Sequence, residues 1–331
     1  MSEGDRPGEA TVRGRTGVLV MAHGTPASPG DIEPFYTRIR RGRPPSPEQL
    51  ADLVRRYDAI GGTSPLAART AAQVAGLAAS LERAEPGRFV VSYGAKHVEP
   101  SIESAAAAVA TSGVEQVVGL VLAPHRASLG SGEYLDRAAA ALADATGAPR
   151  FVPVRQWYDA PGFARLLADR VLGALEALGV AGTAEDGGQA VVVFTAHSLP
   201  EKVIAAGDPY PDQLVESAAA VAGLAGLEEA GVPWRVAWQS AGRTAEPWIG
   251  PDILDVIRRL PSEGFGAVVV CPIGFVSDHL EVLFDLDVEA RGVAEGAGLA
   301  FGRTASLNDD PGFVEILARV VRTAAGGRED R

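Results

Sequence analysis

A single cysteine, Cys271, stands in a chain of 331 residues. That scarcity excludes an internal disulfide and any iron–sulfur cluster held by several thiolates. Cys271 lies inside the apolar run Ala267-Val-Val-Val-Cys-Pro272, where a thiol serves as a small buried hydrophobe. Positive charge is also in short supply: 30 Lys and Arg against 42 Asp and Glu give a net charge of −12. Nonspecific attachment to nucleic acid or to an anionic membrane surface is disfavoured on that balance, whereas a cationic substrate is compatible with it. No uncharged apolar stretch approaches the roughly 20 residues of a membrane helix. Met1 to Gly17 is polar and Gly-rich, without the apolar segment of a signal peptide. A soluble cytoplasmic protein is therefore expected. Nucleotide motifs are missing too. Gly61-Gly-Thr-Ser-Pro65 lacks the spacing of either glycine-rich phosphate loop, and reads as a turn whose Ser64 helps to cap a helix starting at Pro65.

What is present is an alternation of short apolar runs with longer helical patterns. The runs are Gly17–Ala22, Arg88–Tyr93, Gln116–Ala123, Phe151–Val154, Ala190–Thr195, Trp234–Trp238, Gly266–Cys271 and Leu299–Phe301. Several are continuously apolar, as parallel strands covered on both faces are. Helical segments such as Pro65–Glu85 and Gly132–Thr146 lie between them. This is the α/β pattern of parallel sheets flanked by helices.

The chain also resembles itself. Val20-Met-Ala-His-Gly-Thr-Pro26 parallels Phe194-Thr-Ala-His-Ser-Leu-Pro200, and Glu99-Pro100 parallels Glu246-Pro247. Val121-Leu-Ala-Pro124 parallels Val270-Cys-Pro272, and Asp159-Ala-Pro-Gly-Phe163 parallels Asp309-Asp-Pro-Gly-Phe313. Four matches in one order predict two similar α/β domains, the first over 16–125 and the second over 126–309, between disordered tails at 1–15 and 324–331. Ligands of open α/β sheets bind beyond the carboxyl ends of the strands, so two such edges facing each other predict one interdomain cleft.

All five histidines, His23, His97, His125, His197 and His279, fall just beyond an apolar run or in the turn after one. His197, delivered by Val191-Val-Val-Phe-Thr-Ala196, is the best placed to bind a borderline metal or accept a proton; a satisfied strand-end histidine is the plainer alternative. Glu281, Asp285 and Glu289 recur every four residues and so share one side of a predicted helix. Either that side is a solvated acidic face, or it leads hydrated divalent cations to a site. Imidazole with carboxylate suits Fe(II), Zn(II), Co(II) or Mn(II) without choosing among them. Tyr36-Thr-Arg-Ile-Arg40-Arg-Gly-Arg43 is a dense basic cluster in an acidic chain. It is either a solvated turn or a binding surface for an anionic small molecule such as a polycarboxylate.

Taken together, these residues resemble the ferrochelatases, from about Gly17 to Val321. The resemblance rests on Ala22-His-Gly-Thr-Pro26, Ile39-Arg-Arg-Gly-Arg43, Tyr57-Asp-Ala-Ile-Gly-Gly-Thr-Ser-Pro-Leu66, Lys96-His-Val-Glu-Pro100, Ala196-His-Ser-Leu-Pro200, Gly207-Asp-Pro-Tyr-Pro-Asp-Gln213, Trp238-Gln-Ser240, Trp248-Ile-Gly-Pro251 and Gly274-Phe-Val-Ser-Asp-His-Leu-Glu281. The wording is most similar to the Gram-positive members, which metallate coproporphyrin III in haem b biosynthesis.

The resemblance implies two Rossmann-like domains, each a parallel β-sheet flanked by helices, around a porphyrin cleft, and a final helix, 310–323, packing back on the first. It implies His197 and Glu281 as catalytic metal-site pair; on the four-residue acidic spacing, Asp285 and Glu289 are then expected as the outer part of a metal or proton path. His23, Arg40, Arg56, Tyr57, Ser64 and Tyr134 match porphyrin-binding positions. Close relatives carry tyrosine where this chain has His23, and some carry a [2Fe–2S] cluster that a single cysteine cannot hold. Ferrous iron is then a substrate, with no cofactor expected. The expected partners are the porphyrin, Fe2+ and, in transient contact, neighbouring haem-pathway enzymes; a monomer without nucleic acid or stable membrane insertion is expected. A protoporphyrin IX ferrochelatase, a sirohydrochlorin cobalt or iron chelatase, a non-catalytic haem carrier and a metal-dependent hydrolase are the alternatives.

Overall fold

A computed structural model describes residues 14–145, 147–180, 189–242 and 244–326. The expected tails lie almost wholly outside these residues. All eight expected strands form: β1 Thr16–Ala22, β2 Phe89–Ala95, β3 Gln116–Val121, β4 Arg150–Val154, β5 Gln189–His197, β6 Trp234–Gln239, β7 Phe265–Cys271 and β8 Ala300–Arg303. The helices are α1 Ile32–Ile39, α2 Pro47–Ala59, α3 Leu66–Ala84, α4 Ile102–Ala110, α5 Glu133–Ala143 and α6 Phe163–Ala177, then α7 Glu201–Ala205, α8 Tyr210–Leu224, α9 Ile253–Arg259, α10 Leu280–Leu283, α11 Arg291–Gly296 and α12 Pro311–Ala324.

The strands make two sheets ordered β2-β1-β3-β4 and β6-β5-β7-β8, every pairing parallel. The two orders are the same once the second is counted from β5, so the internal resemblance read from the sequence is a repeated topology. One detail of that self-alignment is corrected. In the first half Ala95 N–H donates to Pro100 O at 2.8 Å, and in the second Trp238 N–H donates to Pro251 O at 2.9 Å. The partner of Pro100 is thus Pro251, not Pro247.

β1 shows why the strands read as continuous apolar runs. All seven of its residues are buried, with Val18 and Val20 facing one core and Leu19 and Met21 the other. The same division separates Val192 and Phe194 from Val191 and Val193 on β5. Each such side chain contributes roughly 1.5–3 kcal/mol by leaving water. The inner faces of both sheets share one core, which joins the halves into a single body. Cys271 is fully buried there, and burial pushes its thiol up to about 12.

The expected domain boundary after residue 125 is corrected by β4, which pairs with β3 in the first sheet. The α5 side chains Tyr134, Leu135, Ala138 and Leu142 cover that sheet's outer face. The chain then exchanges helices between its halves. α6, which follows the first sheet, packs on α8, β7 and β8 of the second; α12, which follows the second, packs on α3, β3 and β4 of the first. The paired Asp-x-Pro-Gly-Phe starts of α6 and α12 meet: Arg170 bridges to Asp310 at 2.5 Å, and the Trp157 ring lies 5.2 Å from Phe163 and 5.8 Å from Phe313.

Candidate active site in the interdomain cleft

The carboxyl ends of both sheets border one cavity of about 1150 Å3. β1 is flanked by β2 on one side and β3 on the other, as β5 is by β6 and β7. The cavity therefore lies where the strand order reverses, the usual ligand position in such sheets. Of the expected site residues, His23, Arg56, Tyr57, Ser64, Tyr134, His197, Glu281, Asp285 and Glu289 all line it.

Arg40 does not. It ends α1, donates from Nε to the Arg43 carbonyl at 3.2 Å, and lays its guanidinium over the Tyr36 ring. Its neighbours Arg38 and Arg41 line the cavity instead. Arg41 sits at φ 55°, a left-handed backbone uncommon outside glycine. Arg56 lines the wall with its charge already engaged, by Asp52 at 3.0 Å and Asp285 at 3.8 Å.

At the floor, β5 ends on His197. The imidazole Nδ1 lies 2.5 Å from Ser198 O, which accepts its N–H and leaves Nε2 toward the cleft. Gly274 permits the loop after β7 to cross here, because a Cβ on it would stand 2.4 Å from the Ala196 Cβ. That loop brings in Glu281. His197 Nε2 lies 3.6 Å from Glu281 Oε1, and His279 Nε2 lies 3.6 Å from Glu281 Oε2. His279 is likewise oriented by its Nδ1, 3.0 Å from Ser277 O. One carboxylate thus stands between two imidazoles. Burial disfavours the His197 imidazolium, but Glu281 together with the Ser198 carbonyl and the Asp285 charge outweighs it and raises the pKa to about 9. Burial alone would raise Glu281; the two histidines hold it well below the usual carboxylate range.

The expected regular helix through Glu281, Asp285 and Glu289 is corrected. After α10 the chain makes a π turn over Asp285–Ala290, in which Glu289 N–H reaches back to Phe284 O at 3.0 Å. Such wide turns recur at functional sites. Here the turn keeps Leu286 and Ala290 in the core while Asp285 accepts from Ser240 Oγ. Burial and the Glu281 charge push Asp285 up to about 7, against the pull of Ser240 and Arg56.

On the other wall, His23 follows β1. Its Nδ1 lies 3.1 Å from Gly24 O, and its ring is 4.7 Å from that of His97. Gly24 turns the chain at φ 81°, where a Cβ would strike Val98 at 2.5 Å. Burial lowers the pKa of His23 and, with the cost of protonating two adjacent imidazoles and the Lys96 charge, that of His97 to about 3. Both are neutral imidazoles at neutral pH. Tyr57 and Tyr134 are buried, and burial raises both phenols; Lys96 lies over the Tyr134 ring at 5.0 Å. Ser64 Oγ accepts from Leu66 N–H at 3.2 Å, the capping role expected of it.

Sequence reasoning named His279 among the strand-end histidines, and Gln239 and Ser240 within a motif, without giving any of them a role; His279 stands two residues before Glu281, and Gln239 ends β6 with Ser240 after it. Among the described residues no three or more His, Cys, Asp or Glu side chains are already placed to hold a metal ion; the cleft offers the His197–Glu281 and His279–Glu281 pairs.

A family model described as ferrochelatase matches residues 15–325. This chain belongs to the ferrochelatase family. It is 45 % identical to the coproporphyrin III ferrochelatase of Geobacillus thermodenitrificans, over 95 % of this chain and 98 % of that protein. It is 44 % identical to the coproporphyrin III ferrochelatase of Bacillus pumilus, over 93 % and 96 %. The match to the one of Halalkalibacterium halodurans is 42 % over 95 % and 99 %. Among solved structures, SirB from Bacillus subtilis with Fe3+ superposes with a TM-score of 0.57 at 14 % identity, covering 94 % of this chain and 96 % of that one. That likeness is one of fold. A ferrochelatase of two repeated halves thus presents its strand-end histidines to a single cleft. No helix among the described residues is long and apolar enough to cross a membrane.

Proposed function

We propose that this chain inserts ferrous iron into coproporphyrin III, with His197 and Glu281 as the catalytic metal-site pair. The observation that carries the reading is the Glu281 carboxylate held between the Nε2 atoms of His197 and His279, in the cavity that His23 also lines. Insertion removes two pyrrole protons and transfers one metal ion. A flat ring points its N–H groups and lone pairs inward, so a cleft that holds the ring bent exposes lone pairs to one face and favours the transition state over the ground state. Glu281, kept ionised, is a carboxylate ligand and proton acceptor. His197 ligates once its proton has left, so metal binding there releases a proton. Asp285 and Glu289 form the outer approach for the cation. Arg41, Arg38, Tyr57, Ser64 and Tyr134 are the candidates for the porphyrin's periphery.

The relatives named for coproporphyrin III support that substrate over protoporphyrin IX, as do the arginines at the cavity rim, since coproporphyrin carries four propionates and protoporphyrin two. A carrier of finished haem would have no use for the carboxylate between His197 and His279. The test is an anaerobic assay of the protein with Fe2+ and either porphyrin. Faster initial metallation of coproporphyrin III is expected. Equal or reversed rates would move the assignment to protoporphyrin IX, and absence of metallation with both would overturn it.

A further inference from the structure

We infer that Gln239, keyed by Thr195, is a positioning residue that fixes Glu281 against His197. The inference rests on the reading of His197 and Glu281 as the metal-site pair. Gln239 ends β6, directly beside His197 in the parallel pairing. Its carbonyl accepts from Ser198 N–H at 2.8 Å, extending the ladder one residue past the imidazole. Its side chain points elsewhere. Oε1 accepts from Thr195 Oγ1 at 2.9 Å, and Nε2 donates to the backbone carbonyl of Glu281 at 3.0 Å. Gln239 is 1 % exposed and Thr195 fully buried. One side chain therefore ties the strand that carries His197 to the turn that carries Glu281.

The chemistry fixes the direction of this link. The Glu281 carbonyl can only accept, so the amide must present its nitrogen there and its oxygen to the Thr195 hydroxyl. The Glu281 carbonyl thus selects the amide orientation, and the Thr195 hydroxyl, able to donate or accept, holds the amide oxygen in that orientation. Only glutamine offers both a donor and an acceptor at that reach. The neighbouring residue adds a second tether, Ser240 Oγ to Asp285, one helical turn farther along. Without Gln239, the Glu281 peptide loses its fixed point on β6 and the part-buried carbonyl loses that donor. Partners that orient metal ligands typically change affinity or activity about 10- to 100-fold when removed.

The experiment is a steady-state assay with iron varied at saturating porphyrin, on Gln239→Met, Thr195→Val, Thr195→Ser and the Gln239→Met/Thr195→Val double variant, beside His197→Ala and Glu281→Gln. Porphyrin affinity is read separately from fluorescence quenching. Gln239→Met should lose about 10- to 100-fold in kcat/KM for iron with porphyrin affinity unchanged. Thr195→Val should show a smaller loss of the same kind, Thr195→Ser should match wild type, and the double variant should be no worse than Gln239→Met. Wild-type iron kinetics in Gln239→Met, or equal losses toward iron and porphyrin, would overturn the inference. Should Gln239→Met fail to fold, Thr195→Val decides alone, its wild-type kinetics counting against the link. Active His197→Ala and Glu281→Gln would instead defeat the underlying reading, and inactive ones beside a fully active Gln239→Met would defeat only this inference.

Discussion

The Nε2 of His197 and the Oε1 of Glu281 face each other at 3.6 Å, too far for a hydrogen bond and close to the separation of two ligands on one first-row metal ion. The other carboxylate oxygen holds the same separation from His279. This symmetry ranks three substitutions. His197→Ala should lower iron insertion by at least about 10²-fold, because a ligand or base is removed outright. Glu281→Gln should be as severe, since it removes the negative charge shared by both imidazoles. His279→Ala should cost less and act mainly through a higher KM for iron. Porphyrin binding, followed by fluorescence, should survive all three; a His279→Ala variant as dead as His197→Ala would show that the two imidazoles are equal members of one site.

The rim makes a second prediction, about substrate choice. Arg41 lines the cavity and Arg40 is turned to Arg43 and Tyr36. A well-formed charge-assisted hydrogen bond contributes roughly 1.5–3 kcal/mol, or about 10- to 100-fold. Arg41→Ala should therefore narrow the preference for coproporphyrin III over protoporphyrin IX more than Arg40→Ala does. The ratio of kcat/KM for the two porphyrins is the measurement, and a larger change in Arg40→Ala would reverse the assignment.

That reversal of roles between adjacent arginines illustrates what the sequence conveys. Apolar period and run length locate all eight strands, and the strand-end rule places His23 and His197 at one cleft. Which sheet a strand joins is invisible to period, because β4 is as apolar as its neighbours; its place beside β3 is set by the covering helix α5. The exchange of α6 and α12 between halves is equally hidden, since either sheet offers an apolar face to the same Pro-Gly-Phe start. Four-residue spacing of Glu281, Asp285 and Glu289 fits an α or a π turn alike. Arg40 and Arg41 differ only by a backbone angle that composition does not encode.

His125 makes the third prediction, on stability. It is 3 % exposed, bonded through Nε2 to Ser217 Oγ at 2.9 Å and stacked on Tyr158. Burial lowers its pKa to about 3, against roughly 6.5 for an unfolded histidine. Between those values the unfolded chain binds the extra proton, so stability rises with pH across the window. The contribution is complete above about pH 6.5 and drains away as pH falls toward 3. Wild type should lose roughly 1–2 kcal/mol more than His125→Gln between pH 7 and pH 5, measured by urea unfolding. Equal losses in the two proteins would show that His125 is not the group responsible.

His23 makes the last. Its Nδ1–H is committed to the Gly24 carbonyl, burial keeps it neutral, and the Glu281 charge reaches it across the cleft. The lone pair on Nε2 is thus left for a ligand in the cavity that His23 shares with His197, and a ring held between the two sheets would meet His23 on the face away from His197. A neutral imidazole so placed would bind iron axially once the metal is in the ring, and would be of no use to the incoming cation on the far face. Added ferric coproporphyrin should therefore give a histidine-ligated absorption spectrum. His23→Ala should change that spectrum and speed product release while leaving a single first turnover nearly intact. The rival ligand is His97, whose ring lies 4.7 Å away and is also neutral; His97→Ala should leave the spectrum unaltered. An unchanged spectrum in His23→Ala, with a changed one in His97→Ala, would transfer the axial position to His97.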